Sequence, residues 1–415
     1  MSPRYLPWLV GLGAYLVAVT GRTSLGASGA QALDRFGVDA SVLSTFAVVQ
    51  LAVYAAGQIP AGLVLDRVGS RAMIAGGAAM ITAGHVLMAT AETVPLALVA
   101  RILVGLGDAA TLISVLRLLP LWFPSPRVPL MTQLTGILGQ LGQIVSAVPF
   151  LGLMLVGGWT AAYLALAGTG VLMIVLALLT LREEAPTSPS EHAEVGVWGQ
   201  LAGISRSPGA WLGFSTHMVT LVAPNTVLML WGLPFLVAGQ GWSEAAAGRL
   251  LSLIAVSGVL LGVGIGLFVG RFQRQRSNLI IGVTAVQVLV WLLVLVPDTP
   301  RPTWVLVALM IACGLGSAAC AVGFDFARTG VPHAWLGTTS GLVNVGGYSA
   351  SVVAVLMVGV VLDLSAGGGG YGLDDFRLAF AVTLAPLVLI GLAGVLFSRA
   401  RARRQLQERS AALRS

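Results

Sequence analysis

Gly62-Leu63-Val64-Leu65-Asp66-Arg67-Val68-Gly69-Ser70-Arg71 is a short charged segment between two long apolar stretches. Charge is scarce in the rest of the chain, because 9% of the 415 residues are charged and 57% are hydrophobic. A chain with a mean hydropathy of +0.91 could not cover a globular surface with polar groups. Lipid is therefore its predicted solvent, and residues 62–71 are predicted to be a loop between two membrane-spanning segments.

Apolar runs of about 20 residues continue on both sides of this loop, which is the length that a helix needs to cross a bilayer. A spanning segment must satisfy its own backbone hydrogen bonds, so these runs are predicted to be helices and not barrel strands. The fold class is therefore an all-α integral membrane protein. Twelve spans are predicted, at residues 5–31, 40–65, 72–91, 95–121, 128–155, 159–181, 209–238, 245–270, 277–297, 302–326, 336–363 and 374–399.

The longest polar segment, residues 182–208, lies between the sixth and seventh spans. It is predicted to link two six-helix bundles, residues 1–181 and 209–399, which a basic tail at 400–415 follows. An internal repeat indicates that the two halves are related. Gly105-Leu106-Gly107-Asp108-Ala109-Ala110 in the fourth span matches Gly314-Leu315-Gly316-Ser317-Ala318-Ala319 in the tenth, half a chain length later.

The placement of arginine predicts the orientation. All 23 basic residues are arginine; with a cytoplasmic N-terminus, 16 of them lie in inner segments, and Arg35, Arg301 and Arg377 lie outside. Basic residues in short loops favour the cytoplasmic side. Both termini are therefore predicted to be cytoplasmic, in a cytoplasmic (inner) membrane. Topology and contact with anionic lipid explain the net charge of +7, so no nucleic-acid partner is expected.

The charged loop resembles the signature G-x-x-x-D-[RK]-x-G-[RK]-[RK] of the major facilitator superfamily, which joins the second and third transmembrane helices. Ser70 departs from the usual basic residue. Five residues match, namely Gly62, Asp66, Arg67, Gly69 and Arg71. The resemblance implies two pseudo-symmetric bundles around a central cavity, alternating access, and a small solute as the partner. A monomer is expected.

Charges at the inner ends of the spans are predicted to act as gates. Asp66 is predicted to pair with Arg117 at the inner end of the fourth span. By the repeat, Arg271 is predicted to pair with Asp325 at the inner end of the tenth span. We expect these contacts to close the inner side and to break when it opens.

Charged residues inside the spans are candidate binding residues, because a charge at the bilayer centre costs about 2.5–3.5 kcal/mol on insertion scales. Arg22 lies well inside the first span and resembles the first-helix arginine that engages the anionic group of the substrate in the anion:cation symporter and organophosphate branches. Asp108 lies at a similar depth in the fourth span. Arg22 could bind substrate or serve as a structural partner of Asp108, and the two roles can alternate.

Asp108 is also the predicted proton carrier. Burial favours the protonated carboxyl and a nearby arginine favours the charged form, so a proton could bind when the arginine is drawn to substrate. A constant ion pair that fixes helix packing is the alternative. Arg101, in Arg101-Ile102-Leu103-Val104-Gly105, matches the fourth-helix motif of the family and is predicted to act in coupling or in structure.

Neutral polar residues complete the predicted substrate-binding set, which comprises Gln50, Tyr54, Gln58, Gln140, His217, Asn225 and Asn344. The first three recur at four-residue spacing and form one polar stripe, which is costly in lipid and is therefore predicted to line a cavity. His217 is also a candidate for proton coupling, although a lone membrane histidine is as often structural. Pro224 is predicted to break the seventh helix near this level.

Missing motifs narrow the function. The fifth span lacks the Gly-Pro pair associated with drug:proton antiporters, and the seventh lacks the arginine of the organophosphate group. We therefore predict proton-coupled symport of a small organic anion or zwitterion, with drug or metabolite efflux as the alternative. An enzyme is disfavoured because no nucleophile, base or metal constellation converges, and no cofactor or metal is expected. A non-transporting sensor with the same fold stays open.

Overall fold

The computed structural model describes residues 5–38, 40–181, 196–329, 331–366 and 370–412, and all regular structure in these ranges is helical. Most of the predicted linker, residues 182–195, lies outside the described residues. The chain divides into two compact units. Unit 1 comprises Met1–Leu201 and Pro332–Gly341, and unit 2 comprises Ala202–Val331 and Leu342–Ser415.

Unit 1 contains long helices that pack on one another. They are α1 Tyr5–Ala27, α2 Gly29–Phe36, α3 Ala40–Thr90, α4 Val94–Trp122, α5 Val128–Gly139, α6 Gly142–Val145 and α7 Leu151–Thr180. A π-helix, Ser146–Phe150, joins α6 to α7. The first predicted span ends earlier than expected, at Ala27, and α2 follows as a separate short helix.

Two glycines in unit 1 each divide a long helix in two. Gly69 interrupts α3 at φ 84° and ψ 166°, and Gly158 interrupts α7 at φ 80° and ψ 176°. This backbone conformation is essentially restricted to glycine. Each glycine therefore turns the chain sharply between two spans, and the charged loop of residues 62–71 lies at the first of these turns.

Unit 2 begins at Ala202, inside a short helix, α8 Val197–Arg206, which lies within the segment predicted to be a plain linker. The remaining helices are α9 Pro208–Thr226, α10 Gly232–Pro234, α11 Glu244–Arg271, α12 Arg276–Leu295, α13 Thr303–Ala319, α14 Val322–Arg328, α15 Leu336–Ala366 and α16 Leu373–Ala412. The first residues of α15 group with unit 1 and the rest with unit 2. Helix α16 continues into the predicted tail, where arginine, alanine, glutamine and leucine are all good helix formers.

Ten helical segments of the described chain are long and apolar enough to cross a membrane. Two of them, Ala52–Thr90 and Ser125–Thr180, contain the glycine turns and therefore two spans each. The twelve predicted spans thus all fall on observed helices. Large apolar side chains such as Val156, Leu179 and Leu260 are exposed, as expected where lipid is the solvent, while aromatic rings such as Tyr163 and Phe235 are buried within the units.

Candidate functional site

Arg22 and Asp108 form an ion pair inside unit 1. Nε of Arg22 donates a hydrogen bond to Oδ2 of Asp108 at 2.6 Å, and Nη2 donates to Oδ1 at 2.9 Å. This two-point contact matches a planar guanidinium to a carboxylate. The side chain of Asp108 is fully buried, whereas 21% of the Arg22 side chain is exposed. Arg22 is therefore the member of the pair that a solute can reach.

Tyr54 contacts the same arginine. The guanidinium carbon of Arg22 lies 4.8 Å from the centroid of the Tyr54 ring, within the range of a cation–π interaction. Gln50 and Gln58, one turn to either side on α3, are buried together with Tyr54. The predicted polar stripe therefore faces the interior of unit 1. Within the stripe, Tyr54 packs its ring against the Arg22 guanidinium.

Arg101 lies behind Arg22 and is almost completely buried on α4. Its guanidinium donates to the side-chain oxygen of Gln50 and to the backbone carbonyl of Arg22, the latter at 3.0 Å. It also donates to the carbonyl of Gly21 at 3.3 Å. Arg101 thus fixes the backbone of α1 at the point from which the Arg22 side chain leaves.

The amides of Gln140 and Gln143 follow the end of α5 and are exposed. Nε2 of Gln143 donates to Oε1 of Gln140 at 2.5 Å, and Nε2 of Gln140 donates to the Tyr15 hydroxyl at 3.2 Å. Sequence reasoning missed Tyr15 because an aromatic residue in an apolar run is usually a packing residue. The facing Gly139 was the available signal, because a Cβ there would overlap the Tyr15 ring.

A second missed contact joins α1 to the π-helix Ser146–Phe150. The hydroxyls of Thr23 and Ser146 lie 2.7 Å apart, next in sequence to Arg22. Wide π turns accommodate an inserted residue and are frequent at functional sites. Pro149 is the sequence feature that could have indicated this π-helix, because its ring and missing N–H disturb a regular α-helix.

The candidate residues of unit 2 lie on α9 and α15. Nδ2 of Asn225 donates to the Ser351 hydroxyl at 3.1 Å. His217 is buried between the rings of Phe324 and Tyr348, at centroid distances of 5.5 Å and 6.1 Å, and Asn344 is buried too. Helix α9 ends two residues after Pro224 and continues directly as a π-helix, so the helix changes its hydrogen-bond pattern there but is not broken as predicted.

Asp66 caps the N-terminus of α15. Its Oδ1 accepts a hydrogen bond from the Gly337 amide at 2.7 Å; its Oδ2 accepts from the Thr338 amide at 2.9 Å and from the Thr338 hydroxyl at 2.7 Å. These amides are donors that a helix start leaves unpaired, and the helix dipole favours a negative charge there. The predicted direct bond between Asp66 and Arg117 is not seen in the described part of the chain: Arg117 is near enough to interact electrostatically with Asp66 but donates its hydrogen bond to the Leu65 carbonyl at 2.7 Å.

The other residues of the charged loop also have defined contacts. A Cβ on Gly62 would lie 2.6 Å from the Gly337 carbonyl oxygen, so only glycine allows α3 to approach α15 this closely. Arg71 donates to the Leu178 carbonyl at 2.5 Å, in the last turn of α7. Arg67 donates to the Leu63 carbonyl at 3.0 Å within its own helix.

The predicted pair between Arg271 and Asp325 is also wrong. Asp325 forms an ion pair with Arg328, three residues later on α14, where the helix brings the two side chains together. Arg276 donates to the backbone carbonyl of Asp325 at 2.9 Å. The Arg271 guanidinium lies over the ring of Phe272, with its carbon 5.6 Å from the centroid.

The comparison with protein families identifies the chain. The family model of the Major Facilitator Superfamily matches residues 11–355. The chain belongs to the Major Facilitator Superfamily. Membership confirms the resemblance inferred from the charged loop and the all-helical, twelve-span fold class. It also confirms the predicted class of function, a secondary active transporter embedded in a membrane by many spans.

Curated relatives within the superfamily are distant. The chain is 24% identical over 370 residues to a probable galactarate/D-glucarate transporter of Bacillus subtilis, covering 81% of each chain. It is 22% identical over 386 residues to the protein of the same name in Escherichia coli, covering 81% of this chain and 82% of that one. A multidrug resistance protein of Vibrio parahaemolyticus is 26% identical over 57% of this chain and 60% of its own.

A solved superfamily structure shares the fold. The transporter FucP, crystallised in the outward conformation, aligns with a TM-score of 0.72 and 14% identity over 94% of this chain and 99% of its own. An Asn-to-Ala variant of FucP, described as the E. coli fucose:proton symporter, aligns with a TM-score of 0.68. At this identity the comparison supports the fold alone.

Proposed function

We propose that this superfamily member carries a sugar acid, a polyhydroxylated carboxylate, in symport with a proton. The observation that carries the proposal is the ion pair between a reachable arginine and a buried aspartate. The names of two relatives, both probable galactarate/D-glucarate transporters, support this class of substrate. Arg22 would bind the substrate carboxylate, and Asp108 would bind the proton.

Charge balance supports one carboxylate and one proton per cycle. The Arg22–Asp108 pair holds one positive and one negative charge, with Nε and Oδ2 2.6 Å apart. When a carboxylate replaces Asp108 at the guanidinium, Asp108 would remain as an uncompensated buried charge unless it took up a proton. A protonated Asp108 beside an arginine–substrate pair restores the net charge that the Arg22–Asp108 pair had before, so proton uptake and substrate binding favour each other.

Galactarate and glucarate, which name the two relatives, each carry two carboxylates, whereas the same argument favours acids with one carboxylate for this chain. A second carboxylate would require a second cation, and the nearest buried one, Arg101, already binds Gln50 and the carbonyls of α1. Sugar hydroxyls need neutral partners, and amides and hydroxyls suit them. We assign this role to Tyr54, Gln140 and Gln143 in unit 1. On unit 2, considered by itself, Asn225, Asn344 and His217 are proposed to offer the same kinds of neutral partner.

Alternating access would use the remaining parts of the chain. We propose that the two predicted bundles move as bodies during transport, and that the Asp66 contact with the start of α15 is the inner gate. The arginine distribution supports an inner-membrane location with both termini in the cytoplasm. A single chain is the proposed working unit, and its substrate is released chemically unchanged.

The test is a thermal-stability screen of the purified protein with gluconate, glucuronate, glucarate, glucitol and a lipophilic cation. A ligand that binds the folded protein at 100 times its Kd stabilises it by about 2.7 kcal/mol. We expect stabilisation by the monoacids, weaker stabilisation by glucarate, and none by glucitol. Arg22→Ala should abolish the effect. The exposed Arg249→Ala removes an arginine elsewhere and should keep it.

The relative named for multidrug resistance supports efflux as the second candidate. In that case lipophilic cations should stabilise the protein, and Arg22→Ala should respond like the parent. Such a result would replace the sugar-acid proposal.

A further inference from the structure

Helix α8 lies between the two halves of the sequence and is held by one face. Gln200 and Ile204, one helical turn apart, are buried, whereas Trp198 on another face is 82% exposed. A polar side chain that is buried on a short linker helix needs hydrogen-bond partners. Its partners show what this helix holds.

Gln200 binds the two residues that form the proposed gate. Its Nε2 donates to Oδ2 of Asp66 at 2.8 Å and to the hydroxyl oxygen of Thr338 at 2.9 Å. The Thr338 hydroxyl in turn donates to the same carboxylate oxygen at 2.7 Å. The three side chains form a closed triangle, so Gln200 is bonded both to the charged loop within α3 and to the start of α15.

We propose that α8 stabilises the closed inner gate, and we call this helix the latch. Gln200 is its positioning residue, because its side chain bonds to both Asp66 and Thr338. The inference rests on the proposed gate. If Asp66 separates from Thr338, the amide of Gln200 loses at least one of its two acceptors. The latch therefore adds to the closed state an interaction that comes from the linker and not from either bundle.

The latch predicts opposite effects for two substitutions. Gln200→Leu keeps a similar side-chain length and removes both hydrogen bonds, so the closed-to-open ratio should fall by roughly three- to tenfold. Gln200→Lys places a cation against the Asp66 carboxylate, so the closed state should gain population. Ser205→Ala is the matched control, because the exposed Ser205 hydroxyl bonds only to the Ala202 carbonyl of its own helix.

The experiment measures the inner distance directly, without substrate. Cys313 and Cys320 are replaced by serine, and spin labels are placed at the exposed Arg127 and Arg274, in turns on the predicted inner side of units 1 and 2. Pulsed electron–electron double resonance then gives the distribution of distances between the two spin labels in lipid nanodiscs. We expect a longer-distance population in Gln200→Leu, a shorter one in Gln200→Lys, and the parent distribution in Ser205→Ala.

Parent-like distributions in both Gln200 variants would overturn the latch. If Gln200→Leu fails to fold, the Gln200→Lys result decides. The sugar-acid screen is read separately. Shifted distances without sugar-acid binding would leave the latch and remove the proposed substrate, whereas sugar-acid binding with unshifted distances would remove the latch alone.

Discussion

Nε of Arg22 lies 2.6 Å from Oδ2 of Asp108, although the two residues are 86 positions apart in the chain. The contact joins α1 to α4 and neutralises two charges within the membrane. If Arg22 both stabilises the fold through Asp108 and binds a ligand, its bond to Asp108 must break before the ligand can bind. The following predictions test this arrangement and the proposed gate between Asp66 on α3 and the start of α15.

Asp108→Asn should separate exchange from proton-driven uptake. The asparagine amide cannot bind and release a proton near neutral pH. The Arg22 guanidinium can still bind a substrate carboxylate in this variant. In proteoliposomes we expect substrate exchange to persist and accumulation driven by a pH gradient to fall at least tenfold. The exposed Asp298→Asn is the control and should accumulate substrate like the parent. Retained gradient-driven accumulation in Asp108→Asn would assign the proton to another residue.

Removing one member of the pair should cost more stability than removing both. Arg22→Ala leaves Asp108 buried without its partner, a loss of up to about 3–5 kcal/mol that partial exposure of Arg22 reduces. Arg22→Ala/Asp108→Ala removes both charges of the pair together. The melting temperature in detergent should therefore be lower for the single variant than for the double variant. The reverse order would show that the ion pair adds little to the fold.

Asp66→Asn should slow transport more than it weakens substrate binding. The carboxylate accepts hydrogen bonds from the Gly337 and Thr338 amides at the start of α15, and a hydrogen bond to a charged group contributes about 1.5–3 kcal/mol. An asparagine keeps one acceptor oxygen and loses the charge. We expect a severalfold lower turnover at saturating substrate with an unchanged Kd from thermal shift. Equal turnover would mean that this contact does not limit cycling.

Gly62→Ala should weaken the same contact between α3 and α15, because the new side chain would collide with the α15 backbone. The new methyl group would meet the Gly337 carbonyl at 2.6 Å, so α3 and α15 would have to separate. Gly76→Ala on the same helix is the matched control, because no atom lies within 4 Å of its Cβ and alanine is a better helix former. We expect Gly62→Ala to open the inner spin-label distance and Gly76→Ala to leave it unchanged.

The membrane fold was predictable from local properties of the chain. Lipid is the solvent for these helices and each must satisfy its own backbone, so length and hydropathy are enough to find them. The sharp turn at Gly69 was predictable as well, because a charged loop with glycine interrupts two apolar runs. Arg22 and Asp108 could be chosen as candidates because membrane-embedded charges are rare and costly.

The partners of the charged and polar side chains depended on the tertiary structure. Asp66 binds the start of α15 and not Arg117, and Asp325 binds Arg328 and not Arg271. When a helix is apolar on nearly every face, the periodicity of its sequence does not indicate which face packs against the neighbouring helices. Rotation is set by close packing of side chains distant in sequence. Gln200 shows this most clearly: a residue of a predicted linker reaches Asp66 and Thr338 only because the fold brings three separate segments together.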